Sequence, residues 1–148
     1  MGLGNRLLCD DAAGPLAVDA LATQSLPQGT QLHDGGTIGL SLLPQIEDAD
    51  AFVAVDAAEF GAAPGTVRVF EGEAMDAQLG GRKRSAHEVA LFDLMATAHL
   101  AGRLPVRRAL VAVQPASTAL SLAPTAAISD AIPGLCAAVH ELLARWQR

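Results

Sequence analysis

Two kinds of apolar pattern alternate along the chain. "AFVAVDA" (Ala51 to Ala57) is apolar at both alternating sets of positions, as a strand buried in the middle of a parallel sheet reads. "RRALVAVQP" (Arg107 to Pro115) reads as a second core strand. "GTVRVFEG" (Gly65 to Gly72) alternates more clearly, which predicts an edge or antiparallel strand. "TQLHD" (Thr30 to Asp34) is a short strand, and "MGLG" is the stump of the first. Between these, the spacing turns helical. "GPLAVDALATQSL" (Gly14 to Leu26) predicts a first helix, with Pro15 tolerated in its first turn. "GLSLLPQIED" (Gly39 to Asp48) predicts a short second helix whose length Pro44 leaves open. A long loop follows the Gly65 to Gly72 strand. A third helix then starts near Ser85, where "SAHE" (Ser85 to Glu88) matches the S-x-x-E capping box, and it stops at Gly102. In the last helix Ile128, Ile132, Leu135, Val139, Leu142 and Trp146 share one stripe, and Pro133 is expected to kink the helix or to start its second part.

The order is β-α-β-α-β-β-α-β-α. It predicts an α/β three-layer sandwich: a mostly parallel, twisted, five-stranded sheet with helices on both faces and one antiparallel strand. No internal repeat or low-complexity linker interrupts it, so residues 1–148 read as one domain. Ligands of such sheets gather outside the carboxyl ends of the strands.

Composition narrows the picture. Hydrophobic residues make up 51% of the 148, enough for a folded core. Four Phe, one Trp and no Tyr leave that core to Leu, Val, Ile and Ala. Sixteen acidic against ten basic residues give a formal charge of −6, which disfavours nucleic acid as a partner. The one basic cluster, "GRKR" (Gly81 to Arg84), reads as a solvated loop rather than a phosphate site. Cys9 and Cys136 lie too far apart for a disulfide framework or zinc-finger spacing, and a reduced cytoplasm is the natural compartment. No signal peptide is read before the fold. The apolar runs contain breakers, so no membrane span is expected.

The polar residues then fall into place. Asp10 and Asp11 follow strand one, Asp56 closes "AFVAVD", and Asp34 ends strand two at the start of "DGGT". His87 lies in the first turn of helix three, which the long loop can return to the same edge. Crowded carboxylates repel one another, and a cation relieves that. Two carboxylates and an imidazole make an O,O,N donor set suited to zinc, nickel, cobalt, iron or manganese, with coordination positions left open. The helix dipole favours a neutral imidazole at His87.

Plainer roles compete with these. Asp10 can cap the next helix. Asp11 and Asp56 can make turn bonds or caps, and His87 can be an ordinary helix-start residue. His99 and His140 lie inside helices and read as structural or exposed, and His33 is undecided. Cys9 reads as a small buried thiol before a ligand or nucleophile. "GLGN" is too short for a dinucleotide fingerprint. Gly36, Gly39 and Gly65 are expected to be turn residues with positive φ.

Several stretches fit one family together. "GLGNRLLCDDAAGP", "DGGTIGLSLLP", "AVDAAEFGAAPGTVRVFEGE", "SAHEVALFDLM", "GRLPVRRALVAVQP" and "LAPTAAISDAIPGL" resemble, in order and spacing, the [NiFe]-hydrogenase maturation endopeptidases. The resemblance covers essentially the whole chain. It implies that Asp11 (after G-N-x-L-x-x-D), Asp56 (ending V-D-A) and His87 (in the place of S-P-H-Q) form a metal site. It also implies that Asp34, Gly35, Gly36 and Thr37 line the substrate cleft. The implied substrate is the precursor of the hydrogenase large subunit, which loses a C-terminal extension once nickel is bound. Nickel would then arrive in the substrate as the recognition handle, with no permanently bound organic cofactor.

Three departures from the family pattern stand out. The chain begins three residues before "GN", so strand one reads as a stub: either a start lies upstream of Met1 or the sheet tolerates the short strand. "SAHE" lacks the proline of S-P-H-Q. "ASTALSLAP" after "VQP" is short and carries no acidic residue. The expectation is a nickel-directed endopeptidase, cytoplasmic and monomeric when free. In it an open-coordinated metal activates the carbonyl or water, or Asp11 or Asp34 acts as general base. No Ser–His–Asp order or Cys–His pair offers a nucleophile system. The alternatives are a nickel-sensing checkpoint protein that binds the large subunit without cutting, and an α/β hydrolase of small amides.

Overall fold

β-Branched and small apolar residues put a seven-residue strand, Ala51–Ala57, next to another, Arg107–Val113. The computed structural model describes residues 1–36, 39–81 and 86–148, with the backbone alone for Ala86 and His87. Its elements are β1 (Gly2–Leu3), α1 (Ala13–Leu21), β2 (Asp34–Gly36), α2 (Leu43–Glu47), β3 (Ala51–Ala57), β4 (Val67–Glu71), α3 (Glu73–Leu79), α4 (Ala86–Leu100), β5 (Arg107–Val113) and α5 (Ala126–Trp146). Two 3-10 turns, Cys9–Ala12 and Leu40–Leu42, precede α1 and α2.

The five strands lie in the order β2-β1-β3-β5-β4. β1 is parallel to both β2 and β3. β3 and β5 are parallel and in register from Ala51↔Arg107 to Ala57↔Val113. β4 closes the edge antiparallel to β5, as its alternating sequence predicts.

Alternation along β3 and β5 feeds two cores. Val55, Ala57, Val111 and Val113 face α1 and α5 and meet Ile128, Leu135 and Leu142. Phe52, Ala54, Leu110 and Ala112 face α2, α3 and α4 and meet Ile46, Met75, Leu91 and Met95. Helix α1 comes close to the sheet because Gly14 has no side chain. A Cβ there would lie 2.2 Å from the Leu3 carbonyl oxygen and 2.3 Å from that of Val55.

Several elements differ from their sequence reading. β2 forms at Asp34–Gly36 rather than Thr30–Asp34, because its ladder is set by the two residues of β1, Gly2↔Asp34 and Leu3↔Gly36. The second helix divides at Pro44, which takes an N-terminal position of α2 after the Leu40–Leu42 turn. The segment read as a loop after β4 holds α3, a two-turn helix fixed by the buried Met75 and Leu79. Helix α5 runs unbroken from Ala126 through Pro133, because the stripe on either side of the proline is held in the core. It is long and apolar enough to cross a bilayer by length and composition, yet here it packs against the sheet. Gly36 and Gly65 have positive φ, but Gly39 is extended at φ −132° and enters the 3-10 turn without left-handed backbone.

Candidate active site

The loop between β1 and α1 is folded tightly on itself. Gly4 has φ 131°, and a Cβ there would sit 1.8 Å from the Asp11 carbonyl oxygen. Among the described residues Cys9 is the only non-glycine with positive φ, at 50°. Such backbone is uncommon outside glycine and clusters at functional positions. The bend starts the Cys9–Ala12 turn, all four residues of which are buried.

The two adjacent aspartates do different work. Asp10 is fully buried and accepts bonds from the backbone N–H groups of Ala116 (2.8 Å), Ser117 (3.0 Å) and Thr125 (2.7 Å). It also accepts from the Thr125 hydroxyl at 3.0 Å. Burial by itself pushes its carboxyl up, but the Thr125, Ala116 and Ser117 bonds outweigh this and hold it below the usual carboxylate range. Asp10 therefore does not cap α1. It pins the β5–α5 loop and the N-cap residue of α5 to the β1–α1 loop. Asp11 is buried too, and its Oδ2 accepts the Asn5 N–H at 2.9 Å.

Asp56, fully buried, is the penultimate residue of β3. By strand alternation it shares the sheet face of Phe52, Ala54 and Ala58, the face covered by α3 and α4. The Cys9–Ala12 turn packs against β3, which brings the Asp11 segment to the same end of that strand.

Helix α4 begins at this rim. At the end of α3, Gln78 donates to the Glu59 carbonyl just past β3 (3.1 Å). Beyond the other end of α4, Arg103 pairs with Asp48, just before β3, at 2.6 Å. The helix thus runs from the carboxyl end of β3 to its amino end, with His87 in the first turn at the rim. The His87 side chain lies outside the described residues, as do Thr37, Ser85 of the capping box and Arg82 to Arg84 of the basic cluster. Glu88, read as the partner of Ser85, is buried at the head of the stripe Glu88, Leu91, Met95 and Ala98. Among the described residues no three His, Cys, Asp or Glu side chains form a group that could hold a metal ion.

Asp34 sits on the neighbouring strand, half-exposed. Its Oδ2 meets the Arg6 guanidinium at 2.8 Å, and its Oδ1 accepts the Gly36 N–H at 3.0 Å. Gly4, Asn5, Arg6, Asp34 and Gly36 line a cavity of about 290 Å³ at the rim, and Gly35 is half-buried between Asp34 and Gly36.

Two polar residues escape a reading by sequence. Gln114, buried just past β5, accepts the Phe60 and Ala62 N–H groups (3.0 and 3.2 Å) and donates to Glu59 (2.7 Å), which fixes the β3–β4 loop. Its signal is a lone amide between an apolar run and a proline. Arg6 joins Asp34 to Asp19 of α1 and has no local signal. Cys9 is a buried free thiol 3.7 Å from Asp10, and Cys136 is a second, whose pKa burial pushes up. His99 is exposed, and His140 bonds Gln24 at 2.8 Å.

Known proteins resemble this chain in sequence and in fold. The family model described as hydrogenase maturation protease matches residues 15–142. A hydrogenase expression/formation protein, HupD, of Rhodobacter capsulatus is 40% identical over 116 residues, covering 78% of this chain and 55% of that protein. The hydrogenase 2 maturation protease of Escherichia coli K12 is 35% identical over 147 residues, covering 95% of this chain and 89% of that protein. The solved hydrogenase maturating endopeptidase HybD from E. coli superposes with a TM-score of 0.91 at 31% identity, covering 97% of this chain and 90% of that one. In four of the curated relatives the match takes in 52% to 56% of their length, so the chain spans about half of them. With the family model matched over most of its length, the chain belongs to the hydrogenase maturation protease family.

Proposed function

We propose that the chain is an endopeptidase that removes the C-terminal extension from the nickel-loaded precursor of a [NiFe]-hydrogenase large subunit. The observation that carries this reading is the pair of buried acids, Asp11 and Asp56, at one rim of the sheet. Whole-chain similarity to proteins titled maturation protease or maturating endopeptidase supports it. Nickel enters as part of the substrate. Carboxylate oxygens of Asp11 and Asp56 and an imidazole nitrogen of His87 make a mixed donor set that suits it. That contact sets the register of the extension in the cleft, and Asp34 with Gly35, Gly36 and Thr37 lines the path of the peptide. Asp11 or Asp34 takes a proton from the attacking water. Asp34 is half-exposed and therefore open to water, while Asp11 is buried. The protein works in the cytoplasm as a monomer, and its two free thiols accord with that compartment.

Incubation with nickel-loaded and nickel-free precursor, followed by mass spectrometry of the precursor's C-terminus, tests the proposal. Loss of the extension from the nickel-loaded form alone is expected. Binding without any shortening would instead favour the checkpoint protein. Efficient cutting of the nickel-free form would remove metal-directed recognition.

A further inference from the structure

Arg6 has a place in the site that no motif explains. Its guanidinium lies between two carboxylates contributed by different elements. Toward α1, Nη1 and Nη2 donate to the two oxygens of Asp19 at 2.7 and 3.0 Å. Toward β2, Nη2 and Nε donate to Asp34 Oδ2 at 2.8 and 3.3 Å. Nη2 also lies 3.4 Å from the Pro15 carbonyl oxygen. The remaining oxygen of Asp34 takes the Gly36 N–H, so both of its oxygens have a fixed donor. The carboxylate still borders the rim cavity, where a peptide or water can reach it. A planar fork with donors on two edges bridges two carboxylates in a more fixed geometry than a compact ammonium does.

We infer that Arg6 is a positioning residue: braced on Asp19, it sets the orientation of the Asp34 carboxylate toward the cleft. This rests on the reading of Asp34 as a working group in precursor cleavage. Arg6 itself need not touch the peptide. Asp19, on α1, serves as its anchor. Loss of the brace leaves Asp34 free to turn, and a misplacement of about 1 Å can cost about a hundredfold in rate.

The test is steady-state cleavage of nickel-loaded precursor by R6A, R6K, D19N, D34N and the R6A/D34N double variant, with a thermal melt of each. R6A should lower kcat between about tenfold and about a hundredfold, with KM little changed and the melt intact. R6K should recover part of that loss, and D19N should lose less than R6A. In the D34N background the R6A change should cost nothing further, since its effect passes through Asp34. The inference is overturned if R6A leaves kcat unchanged, acts through KM alone, or slows D34N by the same factor as it slows the parent. If D34N cleaves as fast as the parent, Asp34 has no working role and the inference falls with it. If the parent fails to cut the nickel-loaded precursor at all, the proposed function itself fails. The three failures are read from different proteins in one experiment.

Discussion

At the amino ends of the parallel strands a cavity of about 450 Å³ opens among residues such as Gln28, Thr30, His33, Asp50 and Trp146. At the carboxyl ends the cavity beside Asp34 is smaller, about 290 Å³. By volume alone the amino end would be chosen as the site. The chemistry favours the other end. Asp10, Asp11 and Asp56 are all buried there, and the backbone takes a left-handed turn at Cys9. The carboxyl ends gather loops from neighbouring strands, so residues distant in sequence meet around one point. On the proposed reading, buried carboxylates and left-handed backbone, rather than empty space, mark the site.

Substitutions at the two ends put the contrast at risk. The largest effect is expected from Asp11→Asn, Asp56→Asn and His87→Ala, each lowering kcat/KM for nickel-loaded precursor by about a hundredfold or more, or about 2.7 kcal/mol of barrier. Mass-spectrometric initial rates measure it. A loss of under about threefold in all three would transfer the chemistry elsewhere. Next in size, Asp10→Ala should cost about 3 kcal/mol of stability, because it removes the acceptor of three backbone N–H groups and of the Thr125 hydroxyl in the β5–α5 loop. Urea denaturation would show it as a lower midpoint.

A smaller effect follows from acid. The Asp10 carboxyl lies below its ordinary value in the folded chain, so the unfolded chain takes up the proton at higher pH. The stability it contributes is present in full above the unfolded value of about 3.9 and is lost as pH falls through the folded one. Denaturation across that range should show a shallower acid loss for Asp10→Asn than for the parent. Least of all, His33→Ala and Asp50→Asn at the amino end should leave cleavage within about twofold and stability within about 0.5 kcal/mol. A clear loss of cleavage in either would bring the larger cavity back as a functional surface.

Legibility in the sequence followed the range of the interaction. The apolar runs of β3 and β5 could be read because burial of both sheet faces needs nothing but the residues themselves. Asp11 and Asp56 could be assigned to one rim because strand ends determine it. Helix α3 could not be read, since two buried side chains, Met75 and Leu79, are too few to make a periodicity. The partner that makes Asp10 structural is Thr125, 115 residues away, and no local pattern announces it. Arg6 is the same case, with Asp19 and Asp34 as its partners. Pro133 does not divide the last helix in two, because a proline's cost to a helix can be outweighed by tertiary packing on both sides of it.

The central claim is that two acids and one imidazole meet the nickel at a single point. Anomalous diffraction from crystals soaked with nickel tests it most directly. The account predicts one strong peak about 2.1 Å from carboxylate oxygens of Asp11 and Asp56 and from a nitrogen of His87. A peak that leaves out any one of these three side chains, or nickel held only at His33, His99 or His140, would contradict it.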